Sequence, residues 1–236
     1  MAIRLARDAI GRVFFQRCFY LFALLLVLIA TAPFIEPTDH GRLLLGMLNA
    51  FVVVATVAAV GRTVLSFVIV VLLAAATMFF QYLGVTSGDA GHLARTWAFG
   101  AALYAVTISY LLRYVFQPEV MTVDKLYGAA SAYLMIGVFW ANLYALVGYH
   151  FPGSFSQGGA PAPLNWIDLL YFSFTVLTST GFGDIAPLSR QARSVCVVEQ
   201  LVGVLFIAIL IARLAGVYPP NIRRQPRSAG DDGGRP

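Results

Sequence analysis

The sequence predicts an all-α membrane protein of six transmembrane helices, with a shorter helix that enters the membrane between the fifth and sixth and turns back. Three observations predict it. Of 236 residues, 59% are hydrophobic and only 11% charged, whereas a soluble domain carries about a quarter charged residues. The apolar residues gather into runs of about 20, the length that crosses ~30 Å of hydrocarbon at ~1.5 Å per residue. The basic residues sit at the ends of those runs and form no single block. That distribution sets orientation in a membrane and gives no nucleic-acid footprint.

Read between charges and helix breakers, the six runs are 18–35, 43–60, 63–83, 96–116, 126–147 and 195–217. Arg4, Arg7, Arg12 and Arg17 precede the first, and Arg62 lies between the second and third. Arg113 and Lys125 flank the fourth-to-fifth connection, and Arg213, Arg223, Arg224, Arg227 and Arg235 close the chain. Only Arg42, Arg95, Arg190 and Arg193 fall on the other side. Positive charge concentrates in the cytoplasm, so both termini are expected there, with the protein in a plasma (inner) membrane. The N-terminus also has the outline of a cleavable signal, with Ala30-Thr31-Ala32 after a basic arm and an apolar stretch. Pro33 directly after that string is a poor residue to follow a cut, and the run is long enough to span.

The expected organisation is a basic arm (1–17), a four-helix membrane domain (18–117), a second membrane unit (118–218) and a polar, Pro/Gly-rich tail (219–236) expected to be disordered. Cys18 and Cys196 lie inside apolar runs and read as buried thiols. His40, His92 and His150 are too scattered to suggest a metal site. No paired carboxylates, nucleophile constellation or metal-ligand spacing stands out, so an enzyme is not expected. A secondary transporter would show interrupted helices in corresponding halves; only one interrupted segment occurs here.

That segment, 166–179, is about 20 Å long as a helix, enough to enter the membrane and too short to leave it. Asn165 can cap its start, with Asp168 three residues on. Both flanks face outside, so the chain must return on the side it entered. It does so through Ser179-Thr180-Gly181-Phe182-Gly183-Asp184. Alternate glycines permit positive φ, and irregular backbone at membrane depth is tolerated where it lines a water-filled path. Carbonyls aligned along such a path can replace the water shell of a small cation.

These six residues resemble the T-x-G-Y-G-D filter of the potassium channels, and the likeness extends over about 126–217. Gly181, Gly183 and Asp184 match; Ser179 stands for threonine, Thr180 for valine and Phe182 for tyrosine. The resemblance implies a homotetrameric, potassium-selective channel with K+ held at Ser179, Thr180, Gly181 and Phe182, and no other cofactor. The three departures keep open a weakly selective cation channel of the same build. Pro187 and Arg193 fall where such channels often carry a proline and an arginine. By register with the family, Gly203 is a hinge in the last helix or a packing glycine, and Ile207, Ile211 and Ala215 face an inner cavity or serve as ordinary core packing. Tyr171 falls in the family's aromatic cuff.

Glu199 is the one carboxylate within a span, where ionisable groups are costly. It is placed to brace the short helix through Ser173, Thr175 or Thr178, or else to pack as a protonated, hydrogen-bonded residue. Tyr133, Trp140 and Tyr144 read as packing and interface anchors. The fourth run holds only Arg113, near its cytoplasmic end, so steep voltage gating is not expected. The partners expected are further copies of the chain and membrane lipid, with no nucleic acid and no soluble ligand identified.

Overall fold

A computed structural model describes residues 17–35, 41, 44–48, 50–51, 64–117 and 122–217. Its helices are α1 (Arg17–Ile35), α2 (Val64–Ser87), α3 (Ala90–Val115), α4 (Val123–His150), the short α5 (Trp166–Leu177) and α6 (Arg190–Val217). All except α5 are long and apolar enough to cross a membrane, which makes five candidate spans among the described residues. The expected second span, 43–60, lies largely outside those residues; within it, 44–48, 50 and 51 are helical. The tail 219–236, and the arm 1–17 up to Arg17, also lie outside.

Helix ends extend past the apolar runs because caps set them. Asp89 accepts a hydrogen bond from the Gly91 amide at 2.9 Å, so α3 begins at Ala90 and not at residue 96. Ser189 Oγ accepts from the Ala192 amide at 3.1 Å, so α6 begins at Arg190 and not at residue 195. Hydropathy marks where lipid begins, whereas a helix continues through polar residues until its end groups are satisfied.

The central element is α4, which touches α1, α3, α5 and α6. Ala129, Ala132, Met135, Ala141 and Tyr144 on it are fully buried. Small residues let neighbours approach closely: a Cβ on Gly128 would meet Val115 at 3.1 Å and Cys18 at 3.4 Å. At the same end, Asp124 accepts from the Cys18 amide (2.9 Å) and from the Tyr114 hydroxyl (2.7 Å), joining α1, α3 and α4. Arg213 of α6 donates to the Gln117 carbonyl and lies over the Phe116 ring at 5.1 Å.

The fold is helical with one addition to the all-α expectation, a three-stranded antiparallel sheet beyond the C-terminal end of α4. Its strands are β1 (Phe155–Gln157), β2 (Ala160–Pro161) and β3 (Ile185–Pro187), in the order β2-β1-β3. Gly158 (φ 59°) and Gly159 (φ 86°) make the two-residue turn between β1 and β2. Two consecutive positive φ values match the twist of a tight hairpin, and glycine supplies them without strain.

Candidate functional site

The site forms where α5 ends and the chain turns back. At the start of α5, Asn165 Oδ1 accepts from the Asp168 amide (2.8 Å) and Asp168 Oδ2 from the Asn165 amide (3.2 Å). This reciprocal box fixes the entry of the helix. At the other end, the last four carbonyls of α5 all find donors. The carbonyl of Phe174 accepts from the Thr178 amide, and that of Val176 from the Ser179 amide. The Thr175 carbonyl accepts from both Thr180 (2.9 Å) and Gly181 (3.2 Å), and Leu177 accepts from the Tyr133 hydroxyl at 3.1 Å. The helix dipole still places negative potential there, while the carbonyl lone pairs hold the returning chain.

Along that returning chain φ changes sign at every residue. Ser179 (56°), Gly181 (56°) and Gly183 (81°) are positive, and Thr180 and Phe182 are not. In an ordinary strand, with φ of one sign, successive groups point to opposite sides. Alternating the sign of φ lets every second peptide turn over, the arrangement in which consecutive carbonyls can face one way. A left-handed serine is costly without local support, and here the Ser179 amide is tied back to α5. Residues 178–184 are exposed in the single chain, with Phe182 at 70%.

Side chains pack behind this strand. Thr180 Oγ1, the hydroxyl introduced where the resemblance expects valine, pairs with Thr178 Oγ1 at 2.8 Å. Thr175 Oγ1 donates to the Phe172 carbonyl. The rings of Tyr171 and Phe182 stack at 6.4 Å with an angle of 7°. Leaving the site, the Asp184 backbone carbonyl accepts from the Gly158 amide at 2.9 Å, and β3 pairs with β1. Arg193 Nε donates to the Pro187 carbonyl at 3.2 Å, joining the two residues singled out after the strand.

Glu199 is fully buried. Its two carboxylate oxygens accept from two directions: Oε1 from Ser173 Oγ at 2.5 Å, and Oε2 from the Tyr144 hydroxyl. The same Ser173 hydroxyl lies 2.8 Å from the Gly137 carbonyl. Of the three partners considered for Glu199, the contact falls on Ser173. Tyr144 is caged by Phe172 (5.1 Å) and Phe155 (5.7 Å), so the sheet, α4, α5 and α6 meet at one point.

Gly203 is buried where α6 crosses the end of α5, and a Cβ there would collide with the Leu177 carbonyl. Tyr133 reaches the same carbonyl and packs on Phe206 at 5.5 Å. Ile207, Ile211 and Ala215 stay exposed on α6.

A sequence-family model described as "Ion channel" matches residues 130–218. The potassium channel protein kcv of Paramecium bursaria Chlorella virus 1 is 32% identical over 81 residues, 33% of this chain and 85% of the viral protein. The chain belongs to the potassium channel pore-loop superfamily. Potassium channel subfamily K member 1 of Homo sapiens is 28% identical over 64 residues, covering 26% of this chain and 19% of the human protein. Uncharacterized membrane protein YdjJ of Bacillus subtilis (strain 168) is 30% identical over 84 residues, covering 36% of this chain and 24% of that protein. No solved structure matches the chain. Membership in this superfamily, with apolar helices of spanning length, makes the chain a membrane protein of an ion-channel family.

Within that pore-loop frame, the sequence reading took Tyr133 and Tyr144 as packing and interface anchors and passed over Gly137, whereas the structure joins all three by hydrogen bonds to α5 or α6. Tyr133, Gly137 and Tyr144 share one face of α4, toward α5, because separations of four and eleven residues return to nearly the same helical angle. That spacing was the available signal for an inward-facing stripe. The Gly158-Gly159 pair between short runs was the signal for the hairpin.

Proposed function

We propose that four copies of this chain assemble around an axis as a potassium-selective channel, with Ser179–Asp184 as its filter. The observation that carries this reading is the alternation of φ at Ser179, Gly181 and Gly183, at the carbonyl end of a short helix between two full spans. One strand cannot enclose an ion, whereas closed rotational symmetry turns a row of carbonyls into stacked rings. Rings at Ser179, Thr180, Gly181 and Phe182 would replace the hydration shell of K+. The viral and human relatives, both named as potassium channels, favour the same ion.

In this reading α5 is re-entrant, 43–60 completes six crossings, and both termini lie in the cytoplasm of an inner-membrane protein. The helices of 18–117 surround the conducting unit of 118–218. Tyr171, Thr175, Thr178 and Glu199 support the filter; Ile207, Ile211 and Ala215 line the inner cavity, whose width changes as α6 bends at Gly203.

The test is current through purified protein in a planar bilayer with potassium on one side and sodium on the other. Unitary currents reversing near the potassium equilibrium potential support the proposal. Reversal near zero transfers it to a weakly selective cation channel, the reading that the Ser179 and Thr180 departures favour. Absence of unitary current refutes both.

A further inference from the structure

We propose that the cavity bounded by α1, α2, α3, α4 and the loop 152–165 binds an uncharged, largely apolar molecule carrying one hydrogen-bond donor. The cavity measures about 1030 Å³, enough to bury a ligand of ordinary small-molecule size. Among the described residues that line it, none is Asp, Glu, Lys, Arg or His. A charged ligand would lose its hydration there and gain no opposite charge from the described residues. Apolar side chains such as Leu28, Leu93 and Leu103 make up most of the wall.

The donor requirement comes from Asn142, which lines the cavity and is 6% exposed. Its Nδ2 donates to the Val138 carbonyl at 2.8 Å, which fixes the orientation of the amide. Oδ1 receives no hydrogen bond among the described residues. A buried acceptor without a donor is unfavourable, and a ligand that supplies one removes the penalty. Gly100 keeps the approach open: a Cβ there would stand 3.1 Å from Oδ1 and cover it. Trp97 and Trp166 also line the cavity. Since Trp166 opens α5, an occupant touches the helix that leads to the proposed filter, which makes this a site from which a neutral amphiphile can act on the pore.

The probe is 10-bromodecan-1-ol, a neutral alcohol whose hydroxyl donates and whose bromine quenches indole fluorescence. It is titrated into the full chain in lipid nanodiscs, with 1-bromodecane, which lacks the hydroxyl, as comparison. Saturable quenching by the alcohol is expected above the linear background of partitioning, with half-saturation about tenfold higher for 1-bromodecane and for Asn142→Leu. Thr77→Phe or Ala145→Leu, which fill the cavity from two different helices, should remove the saturable component. Quenching that stays linear in the unaltered protein overturns the proposal without recourse to any variant. Equal half-saturation for the two probes, or saturable quenching that survives both filling variants, overturns it as well. Fluorescence needs no ion flow, so failure here is separable from failure of the channel reading.

Discussion

Ser173 on α5 donates to Glu199 on α6 at 2.5 Å, and this bond links the helix before the strand to the helix after it. Because the carboxylate is fully buried, removing either donor leaves an acceptor unpaired. Tyr144→Phe and Ser173→Ala are each expected to destabilise the protein by about 1–3 kcal/mol. Melting of the purified protein, followed by size-exclusion chromatography after heating, checks this. An unchanged melting temperature in both variants would remove Glu199 from the support.

Gly203 has two roles to separate. Close approach to the Leu177 carbonyl predicts that Gly203→Ala costs about 1–3 kcal/mol through overpacking. A pure hinge predicts normal stability with altered opening. Thermal unfolding and single-channel open probability, measured on the same variant, tell the two apart.

Left-handed backbone at Gly181 and Gly183 makes both positions intolerant of a Cβ. Gly181→Ala and Gly183→Ala should each add about 1–2 kcal/mol of local strain and abolish unitary current while the oligomer still forms. Retained current with unchanged selectivity in either variant would separate conduction from this strand.

Thr180 carries a hydroxyl paired with Thr178. Ser179→Thr combined with Thr180→Val should raise the potassium-to-sodium permeability ratio severalfold, read from bi-ionic reversal potentials. A ratio that does not move would show that selectivity is set elsewhere.

Voltage should change open probability only weakly. Moving one charge through the field is worth ~2.3 kcal/mol per 100 mV, and on α3 the basic residues are Arg95 and Arg113, near its two ends. Arg95 pairs with His92 and covers the Phe80 ring. A conductance–voltage curve steeper than about one elementary charge would contradict this.

What could be read from the sequence was what depends on composition and local pattern. Apolar runs located five of the helices, the Asn165 and Asp168 spacing located the start of α5, and Gly181 and Gly183 located the unusual backbone. Pairings distant in sequence were less legible. Tyr144 and Glu199 lie 55 residues apart, and a tyrosine in an apolar helix looks the same whether it faces lipid or a carboxylate. The short strands 155–157 and 185–187 carry too little periodicity to register, and their pairing depends on α5 bringing the chain back. Ser179 was seen as a hydroxyl, although its positive φ matters as much to the path of the chain.

The contact of Arg213 with Gln117 and Phe116 places a guy-line at the far end of α6. A helix moored there cannot swing outward by itself. Either residues 116–117 travel with it, so that the surrounding helices become part of the load, or the mooring slips and the released arginine must find another carbonyl. The force needed to widen that end is therefore set as much by the bend after α3 as by α6 itself.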